Sequence, residues 1–255
     1  MRAWAIFKKE LRLYFSSPIA YVVLAIFALV SGWFFYNVFA FYTLISMQAA
    51  MNPTMARDLS VTEGVLRPLF QNISVIMLLM MPILTMRLFA EEKKSGTIEL
   101  LLTYPVRDGE VLFGKYLAAL GVFVGMLALT LVYPVLVAWT TRLEWGPLAT
   151  GYLGLLLQGA AFIAIGIFIS SLTENQIVAA VATFGTLLIF WVISWAADAA
   201  GATLGRILTH VSLTEHFDSF AKGVIDTKDV IYYLNLTILS LFFTLRSLES
   251  KRWRG

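Results

Sequence analysis

Apolar and polar positions alternate along this chain in long blocks. Six apolar blocks, at about 18–41, 72–89, 116–139, 148–169, 176–196 and 230–245, approach the ~20 residues that a helix needs to cross a bilayer. A hydrocarbon core offers no water to an open backbone, so each block is expected to be helical. The pattern predicts an all-α membrane protein with six transmembrane helices in a single transmembrane domain over 1–255. Pro82 lies inside the second block and should bend it or loosen its hydrogen bonding. Gly121 to Gly125 in the third block, and Ala160 with Ala164 in the fourth, are spaced to let another helix come close.

Two further stretches carry helical periodicity without spanning length. In 1–17, Trp4, Phe7, Leu11, Tyr14 and Phe15 share a face, with Arg2, Lys9 and Glu10 roughly opposite and Lys8 and Arg12 at the margin. That is the pattern of an interfacial helix lying flat among headgroups. A cleavable signal peptide fits less well, because the apolar run that follows is too long and lacks a small-residue cleavage site. Between 197 and 229, Leu204, Ile207, Leu208 and Val211 fall on one face, and Ser212 to Glu215 has capping-box spacing. Phe217, Phe220 and a stop at Lys222-Gly223 follow, so a short external helix pair is expected before the sixth span, which Asp226 or Thr227 could cap.

The most distinctive polar segment runs from Arg87 to Lys115, where 10 of 29 residues are charged. Ser95 and Gly96 should end the preceding helix and can cap a new one, in which Ile98, Leu101 and Leu102 share a face until Tyr104-Pro105 stops it. A short amphipathic helix held at the membrane by two spans suits docking into a soluble partner's groove. Spacing alone leaves an ordinary connecting loop equally open.

Composition narrows the class. Of 255 residues 59% are hydrophobic and the mean hydropathy is +0.80, against 45–50% apolar for average soluble chains. The chain has no cysteine, which removes disulfides, thiolate nucleophiles and most soft-metal sites. The net charge of +3 does not point to nucleic acid, because the basic residues follow the membrane pattern instead. With the N-terminus inside, 13 Lys and Arg fall on the inner side and 6 on the outer. The positive-inside rule therefore places both termini and the Arg87–Lys115 loop in the cytoplasm.

Candidate chemistry is sparse. Gly109 to Tyr116 has the spacing of a phosphate-binding loop, but Tyr116 stands where Ser or Thr would meet magnesium, and no strand precedes it. Gly114 is read instead as a packing position and Lys115 as a headgroup anchor. His210 and His216, six apart and without a well-placed third ligand, do not make a metal site, and a surface or interfacial role is expected for both. No span holds His, Cys, Asp or Glu near its centre, which argues against membrane catalysis and against an ion-coupled carrier. The expectation is a chain that is not itself an enzyme, with no catalytic, cofactor or metal residues of its own.

The segment Met86–Lys115 carries Glu91-Glu92, the run Gly96 to Thr103, Pro105 and Gly114-Lys115. It resembles the coupling-helix region of ABC-2-type transporter permeases, and in particular the gliding-motility-associated subfamily. Gly223 to Tyr232 is similar to the same subfamily. The resemblance implies a multi-pass permease subunit of the bacterial inner membrane, an exporter with a cytoplasmic coupling helix between spans 2 and 3. It implies two copies of a cytosolic ATPase that carry ATP and magnesium, and a second permease subunit in a homodimer or heterodimer. The residues expected to contact the ATPase are Glu91, Glu92, Gly96, Thr97, Ile98, Glu99, Leu101, Leu102, Thr103 and Pro105. The alternatives are a membrane anchor that moves nothing through itself and an ion-coupled secondary carrier.

Overall fold

A computed structural model describes residues 2–51, 60–97, 107–141, 143–197 and 201–252, and every regular element among them is helical. Helix α1 is Arg2–Ser16 and α2 is Pro18–Met51. A π-helical turn, Thr62–Leu66, runs directly into α3, Arg67–Thr85, and a single interrupting residue separates that from α4, Arg87–Lys94. Then come α5, Asp108–Thr130, α6, Val132–Thr140, and α7, Trp145–Leu172. The chain continues through α8, Gln176–Ala197, α9, Gly201–Val211, α10, Leu213–Ala221, and α11, Thr227–Arg252. Among the described residues six stretches are long and apolar enough to cross a membrane: α2, the turn with α3 and α4, α5 with α6, α7, α8 and most of α11.

These helices outrun the apolar blocks. Helix α2 continues to Met51 because the polar residues after its apolar part, Thr43 and Ser46, return their hydroxyls to Ala40 O and Tyr42 O. Its far end is packed as well, since a Cβ at Gly64 would overlap the Tyr42 ring. Nearer its middle, Ser31 hydrogen-bonds the Tyr133 hydroxyl at 2.8 Å and Phe35 stacks on the Tyr133 ring, tying α2 to α6.

The bundle is built around α7. Its glycines Gly151, Gly154, Gly159 and Gly166 lie where a Cβ would overlap Phe70, Phe220, Phe123 and Thr85, so each neighbour packs against bare backbone. Within a bilayer lipid tails are as apolar as leucine, so helices associate by close packing, and small residues permit it. Gly125, expected at such a contact, has nothing within 4 Å, while Gly121 faces Phe7 and Leu11 of α1. Gln158 of α7 donates to Ser74 Oγ of α3 at 2.8 Å, a contact of about 0.6 kcal/mol in a membrane interior. Spans two and four are the interior helices, 72% and 67% buried over their most apolar windows, whereas α8, at 17%, is peripheral.

Pro82 lacks an N–H, so the Leu78 carbonyl loses its helical donor, and the helix is interrupted four residues on at Met86. Helix α7 bridges that interruption. Its C-terminal end meets α4 beside α1, and its N-terminal end meets α10. The molecule thus has two chemically distinct ends: one where α1, α4 and the start of α5 gather, and one where α9, α10 and the start of α11 gather.

Candidate functional site

The first end is assembled by a close approach. A Cβ at Gly114 would overlap Ile6 and come within 3.0 Å of Ala3 O, so α1 can lie directly on α5. That places Glu10, the single acid of an otherwise basic helix, against Lys115. Lys115 is 1% exposed, and its Nζ sits 3.0 Å from Glu10 Oε1 and 2.8 Å from Glu92 Oε1. Lys9 completes the cluster at 3.7 Å from Glu10 and 3.9 Å from Glu92, and the Phe89 ring lies 5.3 Å from the Lys115 ammonium. Lys115 is therefore an internal ion-pair partner and not the headgroup anchor that its position at a span end implies. The reason is Gly114, which admits α1 over the lysine before lipid can reach it.

Helix α4 is held on its other side by α7. The Ser170 hydroxyl donates to Met86 O at 2.8 Å and accepts from Phe89 N and Ala90 N, spanning the interruption. Lys93, almost fully buried, donates to Ser171 O. On the α1 side, Tyr14 donates to Leu84 O at 2.7 Å, and the Arg87 guanidinium lies 4.8 Å from the Tyr14 ring. Burial drives the Tyr14 pKa well above its usual value, Arg87 opposes that, and Glu10 adds to it. The phenol thus stays a neutral donor.

Helix α4 ends as its residues demand. Ser95 N and Gly96 N close on Glu91 O and Lys93 O, Gly96 takes φ +69°, and the Thr97 hydroxyl reaches Glu92 O. A side chain at Gly96 would be strained by that backbone although the space around it is open. Glu91 and Thr97 are exposed, and beside them a cleft of about 540 Å³ opens between α1 and α4, lined by Lys9, Arg87, Glu91, Ser95 and Thr97 among others.

Of the residues expected to meet an ATPase, Glu91, Gly96 and Thr97 lie at this exposed tip, while Glu92 turns inward to Lys115. Ile98, Glu99, Leu101, Leu102, Thr103 and Pro105 fall outside the described residues. Sequence reasoning missed Glu10, Lys93, Ser170 and Ser171. Only Glu10 left a trace, as a lone carboxylate among basic neighbours. Nothing here is a nucleophile paired with a base. The arrangement ties the α4 tip to α1, α5 and α7 through side chains. The stretch with phosphate-loop spacing, Gly109 to Tyr116, is helical and lies within α5.

The opposite end also departs from expectation. His216 is buried, its Nδ1 2.7 Å from Asp229 Oδ1 and its Nε2 3.0 Å from His210 O, with Tyr232 stacked on the ring at 3.9 Å. It faces the interior because α10 folds back over the first turn of α11, where buried Asp229 offers it a hydrogen-bond partner. Ser212 does sit at the N-cap of α10, but its hydroxyl pairs with Thr214 Oγ1 and does not cap the backbone.

A comparison with protein families matches residues 4–244 to the family described as ABC-2 family transporter protein. Among curated proteins none matches the chain. Membrane subunits of that family generally work with a cytosolic ATPase in a lipid bilayer. The matched span takes in both ends of the bundle and all six candidate spans save the last turns of α11, and on that extent the chain belongs to the ABC-2 transporter family.

Proposed function

We propose that this chain is an exporter permease whose α4 tip, with the segment from Ile98 to Pro105, receives the stroke of a cytosolic ATPase. The observation that carries the reading is the junction around α4. A short helix with an exposed, glycine-ended tip is joined to three other helices by Lys115, Ser170 and Lys93, so a push at the tip moves the bundle as a body. ATP and magnesium are then the partner's, and this chain hydrolyses nothing.

The charge bias of 13 against 6 supports an orientation with both termini and the tip in the cytoplasm of a bacterial inner membrane. Two such permeases and two ATPases make the working unit, homodimeric or heterodimeric, with the thinly covered α8 and α2 available for the second permease. The likeness of Met86–Lys115 and Gly223–Tyr232 to the gliding-motility subfamily supports export or force transmission in surface motility.

The test is Leu101→Asp in the intact complex. It should abolish co-purification with the ATPase, or cut ATP-dependent transport at least tenfold, while the thermal stability of the isolated permease stays unchanged. Normal co-purification with normal transport would overturn the assignment.

A further inference from the structure

Helix α1 uses up its one acid internally, and what remains on its outer surface is basic and aromatic. Glu10 is 6% exposed and committed to Lys115, so the described charges that α1 shows to solvent, Lys8, Lys9 and Arg12, are all cations. Trp4, Lys8 and Arg12 recur at i, i+4 and i+8, in one row along the helix, with Phe15 beside it. Trp4 is 58% exposed and Phe15 41%, and the Lys8 ammonium sits 5.5 Å from the Trp4 ring. The opposite face, through Ile6, Phe7, Leu11 and Tyr14, is spent on α5 and Leu84 O. Only Ser17 separates α1 from the first candidate span, which fixes α1 at the membrane surface.

We infer that the outer face of α1 is a docking surface for anionic phospholipid headgroups. Trp4 and Phe15 enter the acyl boundary, and Lys8 and Arg12 meet the phosphate layer above it. Charge complementarity commits the occupant: this arc has two exposed cations, Lys8 and Arg12, and no exposed carboxylate, a composition that a zwitterionic surface does not reward, while Lys9 turns toward Glu10 and Glu92. Because Glu10 ties the same helix to Lys115 and Glu92, headgroup occupancy on α1 bears directly on the placement of α4.

The experiment uses the purified permease without any ATPase, so its outcome is independent of the transport reading. The full chain is reconstituted in vesicles of equal phosphatidylglycerol and phosphatidylcholine and gently re-extracted, and the retained lipid is identified by native mass spectrometry. The wild-type chain should retain phosphatidylglycerol in preference, with about a fivefold contribution from each basic residue near the surface. Lys8→Gln with Arg12→Gln should remove most of that preference, Lys8→Arg with Arg12→Lys should keep it, and raised salt should weaken it. Equal retention of the two lipids by the wild-type chain would overturn the inference. So would an undiminished preference in the glutamine variant, or its loss in the charge-preserving one.

Discussion

Both ends of this bundle bury a basic side chain against carboxylate, yet they are different devices. At the α1 end a lysine faces two glutamates drawn from separate helices. At the α9–α10 end a histidine faces one aspartate and one backbone carbonyl. A carbonyl only accepts, so Nε2 is the donor there and Nδ1 faces the carboxylate. The first device joins three helices through one ammonium. The second fastens a helical hairpin onto α11 through one ring, which meets a carboxylate on one side and a carbonyl on the other. A buried ion pair adds little net stability over an apolar replacement, but leaving half of it behind is costly. The consequence of losing a partner therefore differs between the two ends.

The largest effect is expected at Lys115. Lys115→Ala strands the buried Glu10 and the part-buried Glu92 and should cost about 3–5 kcal/mol, seen as a fall of about 10 °C in the apparent Tm of the solubilised permease. Lys115→Met combined with Glu10→Gln and Glu92→Gln should recover most of it. A triple variant no better than the single one would show that Lys115 acts through packing alone.

At the other end His216→Ala should cost about 3 kcal/mol, because Asp229, 1% exposed, loses its partner. Asp229→Asn should cost less than about 1 kcal/mol, because a neutral imidazole can accept from the new amide. Equal losses in both variants by thermal unfolding would erase the distinction drawn between the ends.

The smallest effect concerns Asp218 of α10, which meets Arg67 at 2.7 Å and Lys222 at 2.6 Å. Burial alone would raise its pKa, but hydrogen bonds from Lys222 and Arg67 outweigh that and hold it below the usual carboxylate value. Its contribution is thus complete above the ordinary aspartate pKa of about 4 and is lost as pH falls through the depressed folded value. The pair is part-exposed, so Asp218→Asn should cost at most about 1 kcal/mol. Hydrogen exchange should show α10 loosening at acid pH in the wild-type chain and already loosened at neutral pH in the variant.

The six spans were legible because hydrocarbon imposes a length on each, and their starts were legible where a cap is local. Asp226 accepts from Lys228 N at the head of α11 as its position suggests. Gly96 ended α4 where a glycine was needed. What stayed hidden was whatever depends on contact between distant segments. Lys115 finds Glu10 from 105 residues away, and His216 finds Asp229 only once α10 has folded back. Gly114 is a packing position as expected, but Gly125 meets nothing and the glycines of α7 went unread, because spacing shows which faces are small but not which face has a neighbour.

The hydroxyl of Ser170 gives the interrupted second span an unusual joint. One oxygen serves the carbonyl at the gap and two amides below it, so the lower piece is pinned to α7 at the very point where its own ladder fails. On the proposed reading, a push on α4 is handed to α7 across that oxygen and need not travel through the broken ladder of the second span.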